Sequence, residues 1–198
     1  MVVEAQYLKA GAILLPGVSV FPNNAMPLHI FEAGYREMLK DALASTGKFI
    51  VGVLPVVDGR LSEAPTRTAV VVEVVINQAL PDGRSALIVA ARERIRIVSW
   101  EQSPSYPRAV YHKMTRETPD DAKVIISLLK DSFESKITQF VKNDRREILK
   151  QLDSIDSLEG VINVIAHYSV GDERMRRYFL EEDSDSERAK RLLLMLEG

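Results

Sequence analysis

The chain has 198 residues, 46% of them hydrophobic and 27% charged, with a formal net charge of -2. That length buries one good core or two small ones, which argues against disorder, and the slightly acidic balance offers no general attraction for nucleic-acid phosphates. The absence of cysteine rules out disulfides, zinc-thiolate sites, iron-sulfur clusters and cysteine nucleophiles, and it fits a reducing cytoplasm.

The opening residues, Met1-Val2-Val3-Glu4-Ala5-Gln6, lack the charged start and apolar core of a signal peptide, and Lys9 interrupts the apolar residues after them. No stretch approaches the ~18 uninterrupted apolar residues of a membrane helix, so no membrane partner is expected. Residues 7–114 are rich in β-branched side chains with Pro and Gly punctuation, which predicts short strands. One helix is expected within them, over 30–44, where Phe31, Tyr35, Met38, Leu39, Ala42 and Leu43 recur at helical spacing. Gly47 after it suits a left-handed helix end, and Ser45-Thr46-Gly47-Lys48 lacks the order of a phosphate loop.

Asp58-Gly59 and Asp82-Gly83 predict hairpin turns. The second joins 69–76 to 85–90. The Val/Ile run of its first strand implies burial on both faces, in a sheet that curls into a barrel or is covered by other elements. In the next strand, Arg92, Arg94 and Arg96 alternate with Glu93, Ile95 and Ile97, so all three guanidinium groups are expected on one face. That stripe is read as solvated and paired with nearby carboxylates, with an anion or RNA contact as the functional alternative.

After Thr118-Pro119 the pattern turns helical: threonine suits an N-cap, proline the first helical position, and Asp120 and Asp121 the positive end of the dipole. A helix of about 22 residues is expected, with Val124, Ile125, Leu128, Leu129, Phe133, Ile137, Phe140 and Val141 as its apolar stripe. Shorter helices are expected over 145–152, 157–169, 172–181 and 185–197. The cluster of Glu181, Glu182, Asp183, Asp185 and Glu187 reads as a solvated connection.

Catalytic signatures are missing. His29, His112 and His167 are scattered without a metal-ligand spacing, and His29, between Leu28 and Ile30, is expected to be a hydrogen-bonded structural histidine. No catalytic residue, metal or cofactor is assigned. Met26, Met38, Met114, Met175 and Met195 are adaptable apolar contacts, with Met38 and Met195 expected in the core, while Trp100 suits core and interface anchor equally.

The segment over 14–32, with Pro16, Phe21, Pro22, Pro27, Leu28, His29, Phe31 and Glu32, continued by Tyr35 and Arg36, resembles the signature opening of the Lon protease N-terminal domain family, the peptidase S16 Lon domain. Further similarity lies in Leu80-Pro81-Asp82-Gly83, in Glu93-Arg94-Ile95-Arg96-Ile97 and in Tyr106-Pro107-Arg108-Ala109-Val110. Ala33-Gly34 departs from a common Pro-Arg pair. The resemblance implies an α+β fold: a PUA-like β pseudo-barrel with one helix over 1–116, with Phe31 and Tyr35 facing inward, then a helical bundle over 117–198, the two packed as one domain. It implies a free-standing, non-catalytic substrate-recognition module without ATPase or peptidase, binding unfolded or folded protein segments through an apolar groove or patch between the halves. A nucleic-acid binder using Arg92, Arg94 and Arg96 is the first alternative. A small hydrolase built from polar residues that converge only in space is the second.

Overall fold

The computed structural model describes residues 6–101, 105–114 and 118–198. It divides into two compact units, Met1–Met114 and Thr115–Gly198. The boundary expected between 116 and 117 falls outside the described residues. The whole is a mixed α/β fold with one large sheet and, among the described residues, six helices.

The N-terminal unit runs β1 (Leu8–Pro16), β2 (Ala25–Ile30), α1 (Ala33–Leu43), β3 (Lys48–Leu54), β4 (Val56–Val57), β5 (Arg60–Leu61), β6 (Thr68–Ala79), β7 (Ser85–Glu101) and β8 (Arg108–Lys113). The large sheet has the order β2-β7-β6-β3-β1-β8, and β8 also pairs with β7. Five strands therefore close on themselves, with β2 outside the ring on β7. Among the described strands the one parallel pair is β1 with β3, as the crossover through α1 requires. Ala12, Ile50, Ala69, Val71, Ile95, Ile97, Ala109 and Tyr111, drawn from all five ring strands, form a buried cluster.

Both Asp-Gly turns are present. Asp58 and Gly59 take φ of 50° and 74°, the doubly left-handed turn that lets Val57 oppose Arg60 across two residues. At the other, Gly83 has φ of 82° and Leu80 N donates to Arg84 O at 2.8 Å. Asp82 accepts from Arg84 Nε at 2.6 Å, a bond that holds its carboxyl below the usual range. Gly47 is left-handed, at 71°, past the end of α1.

Three expectations need correction here. The helix begins at Ala33, not residue 30, because Ile30 still pairs with Ser85 in the sheet. Phe31 therefore lies in the link and is 59% exposed instead of facing inward. The Val/Ile run of β6 is buried only over 68–72; beyond the irregularity between Val74 and Ile76, Val75 and Ile76 emerge at 57% and 56% exposure. Gly34 stands in the first turn of α1 because a Cβ there would lie 2.0 Å from the Ser105 carbonyl oxygen. Close approach of backbone to backbone outweighs its poor helix propensity.

The C-terminal unit is α2 (Ala122–Phe140), α3 (Arg145–Asp153), α4 (Leu158–Ser169), α5 (Glu173–Glu181) and α6 (Asp185–Glu197). α2 starts later than expected: Thr118-Pro119 forms a turn in which Ala122 N reaches Pro119 O at 3.0 Å, and Asp121 stands at the cap without a side-chain bond. Leu129, Phe133 and Ile137 carry its buried stripe, whereas Val124 and Leu128 are exposed. α2, α4 and α6 pack on one another. In α4, Val161, Ile162, Val164 and Ile165 are fully buried, each contributing about 1.5 to 3 kcal/mol. Ser157, Asp172 and Ser184 cap α4, α5 and α6 by accepting from the backbone N–H three residues on. Asp185 does not belong to a solvated link, because it is buried against Arg188. Met195 is 37% exposed, whereas Met38 is buried as expected.

Candidate functional site

Two cavities open on the N-terminal unit, and one tyrosine lines both. Each begins with a glycine in a strand. A Cβ on Gly52 of β3 would lie 2.9 Å from Leu14 Cδ2 and 3.0 Å from Trp100 Cη2, so the missing side chain lets the indole rest on the strand. Trp100 sits opposite Ala109 in the β7–β8 pair and packs against the buried cluster. Its ring, with Leu14, Pro65, Tyr106 and Pro107, lines a cleft of about 380 Å³ whose charged side chains are Glu63 and Glu101.

Gly11 of β1 serves Tyr106 in the same way: a Cβ there would meet Tyr106 Cε2 at 2.9 Å and Met38 Cγ at 2.7 Å. The phenol donates to Asp41 Oδ2 at 2.6 Å. That bond, then burial, raises the Tyr106 pKa and keeps it a neutral donor. On its other side lies a second cavity of about 440 Å³, lined by Lys48 and Arg108 among others and by the Lys113–Glu93 ion pair at 3.1 Å. Burial raises the pKa of Tyr111 there.

The residues singled out by motif serve other ends. Pro16 closes β1, Phe21 is fully buried, and Pro22 is buried in the connection to β2. Pro27, Leu28 and His29 lie on β2, the outermost strand, where a residue lacking N–H is tolerated. His29 is exposed, its ring 5.9 Å from that of Phe31, which corrects the structural histidine expected at this point. Glu32 occupies the N-cap of α1 with no side-chain bond. Tyr35 Oη accepts from Leu14 N at 3.3 Å, so this one motif side chain touches the backbone of a cleft residue. Arg36 Nη1 donates to Asp82 O at 3.4 Å.

The arginines do not form one exposed stripe. Val71 faces Glu93 and Val72 faces Ala91, leaving Arg92 as the extra residue of a bulge that breaks the alternation. Arg92 is exposed and donates to Glu73 at 2.8 Å; Arg94 is fully buried; Arg96 donates to Thr68 Oγ1 at 2.8 Å.

The histidines do not meet either. His112 Nδ1 lies 2.9 Å from Lys113 O. His167, at the end of α4, is pushed down to about 4 by burial and then by the Arg176 charge; Arg176 itself donates to His167 O at 3.1 Å and Val170 O at 2.9 Å. A base needs a group that stabilises its protonated form, and a neighbouring guanidinium does the reverse. Among the described residues no group of three His, Asp or Glu could hold a metal ion.

Sequence reasoning misses the cleft. The signal for it is Gly11 and Gly52 inside apolar strand-like runs, where glycine marks a close approach.

Comparison with known proteins comes to the same region of fold space. The family model described as ATP-dependent protease La (LON) substrate-binding domain matches residues 11–198. A solved structure of the N-terminal domain of Mycobacterium avium complex Lon protease superposes with a TM-score of 0.74 at 16% identity, covering 96% of this chain and 98% of that one. The crystal structure of a Lon N-terminal domain protein from Xanthomonas campestris gives 0.65 at 17% identity, covering 94% and 98%. No curated protein sequence matches.

Proposed function

The chain belongs to the Lon substrate-binding domain family, and from that premise we propose that it is a non-catalytic module that binds exposed segments of other proteins in the Trp100 cleft. The observation that carries this reading is the cleft itself: an open pocket on a framework of paired strands, with Leu14, Pro65, Trp100 and Pro107 as its apolar wall and its indole seated by Gly52. Concave apolar sites with few polar groups are where ligands bind, and a cleft of this size grips one or two side chains. Binding at one such pocket is weak and transient.

The closed ladder supports a PUA-like reading of the N-terminal unit. Nucleic acid is the weaker reading because the bulge at Arg92 and the burial of Arg94 leave no exposed basic stripe, and the net charge is -2. A hydrolase is weaker because His167 faces a cation instead of a carboxylate.

The test is binding of a permanently unfolded protein, compared with the same protein folded, by fluorescence anisotropy at low and high salt. Selective binding of the unfolded form that weakens no more than several-fold at high salt and is lost in Trp100→Ala is expected. Equal binding of both forms, or steep loss with salt together with competition by RNA, would overturn the reading.

A further inference from the structure

The two cavities of the N-terminal unit differ in charge. Glu63 and Glu101 are the charged side chains on the Trp100 cleft, and no Lys, Arg or His lines it among the described residues. Its neighbour beyond Tyr106 carries Lys9, Lys48, Arg108 and Lys113 against Asp41 and Glu93. The cleft already draws a cation to its edge, since Lys9 Nζ reaches Glu101 Oε1 at 2.7 Å. Among the described residues the Glu63 side chain has no hydrogen-bond or ion-pair partner.

An apolar side chain entering the cleft would satisfy the walls but leave the Glu63 carboxylate at its mouth without a counter-charge. A cation satisfies both. Over an indole face it meets the negative side of the ring quadrupole, for which tryptophan is the best partner, and Glu63 supplies the counter-charge. Arginine fits better than lysine because its plane stacks on the ring, its fork pairs with a carboxylate and its charge is more weakly hydrated.

We propose that the Trp100 cleft takes the arginine side chain of a bound protein segment, its guanidinium over the indole and paired with Glu63. The proposal rests on the recognition reading above and names the chemistry of the segment recognised. Glu101 is already paired with Lys9, which leaves Glu63 as the carboxylate open to the incoming guanidinium.

Trp100 is the single tryptophan of the chain, so its emission reports directly on the cleft. The full chain is titrated with a blocked Gly-Arg-Gly tripeptide and with its lysine and glutamine counterparts. The arginine peptide produces a saturable change, the lysine peptide binds about 3-fold more weakly, and the glutamine peptide gives none. Glu63→Gln, at an exposed position, keeps the unfolding midpoint and weakens the arginine peptide by about 3- to 5-fold. An absent response to arginine, an equal response to lysine or glutamine, or unchanged affinity in Glu63→Gln overturns the proposal. Retained binding of an unfolded protein beside a silent arginine titration would remove this assignment alone; loss of unfolded-protein binding would remove the recognition reading.

Discussion

Both units bury an arginine, Arg94 in the N-terminal one and Arg188 in the C-terminal one, but charged side chains can be compared at two kinds of place. In the C-terminal unit Arg188 donates to Asp185 at 2.7 Å and to Asn163 Oδ1 at 2.5 Å, and the half-buried His167 sits beside Arg176. The N-terminal unit keeps charged side chains at its openings, with Glu63 and Glu101 on one cavity and Lys48, Arg108 and the Glu93–Lys113 pair on the other. Buried ion pairs fix a geometry and are costly to break, whereas charges at the mouth of a cavity are free to choose a partner. The difference assigns stability to the Asp185–Arg188 pair and recognition to the carboxylates of the Trp100 cleft.

The contrast breaks hardest at Asp185. Asp185→Ala leaves the buried Arg188 guanidinium without its carboxylate and should cost about 3 to 5 kcal/mol in denaturant unfolding. A cost below about 1 kcal/mol would mean the pair is not what orders α6.

A smaller effect comes from pH. The folded His167 titrates near 4, below its ordinary 6.5, so the unfolded chain binds the proton more readily. Stability is complete above pH 6.5, falls as pH drops toward 4, and levels off below it. The loss should be about 2 kcal/mol after allowance for the ring's partial exposure. His167→Phe should flatten that segment of the stability profile; an unchanged slope would assign it to another group.

Much of the C-terminal unit is legible in the sequence. Helices expected over 145–152, 157–169, 172–181 and 185–197 appear as Arg145–Asp153, Leu158–Ser169, Glu173–Glu181 and Asp185–Glu197, because apolar periodicity is a local property. The start of α2 misleads because Thr118-Pro119 suits a turn as well as a cap. In the sheet, the Asp82-Gly83 hairpin is legible for the same local reason. Closure of β8 on both β1 and β7 is not, since nothing near 108–113 names two partners. The bulge at Arg92 arises from how β6 and β7 pair and has no signature in either strand alone. Trp100, which suits core and interface equally by sequence, packs on the buried cluster and lines the cleft. Only the tertiary meeting of Gly52, Leu14 and Trp100 reveals that.

In the N-terminal unit, Gly52→Ala should sharpen the comparison. The new methyl group meets Leu14 and Trp100 at 2.9 and 3.0 Å, so the indole must shift. The expected result is a changed Trp100 emission with about 1 to 2 kcal/mol of destabilisation. Unaltered emission would show that the ring is not seated on β3. Smallest of all is Arg92→Ala: its exposed pair with Glu73 contributes about 0.5 kcal/mol or less, so unfolding should barely change.

The most direct test of the central claim is hydrogen–deuterium exchange of the full chain with and without a saturating unfolded protein. Binding in the cleft predicts added protection in segments around Leu14, Pro65 and Trp100, with the helices of 122–197 unchanged. Protection concentrated in those helices, or on β2 and α1, would contradict it.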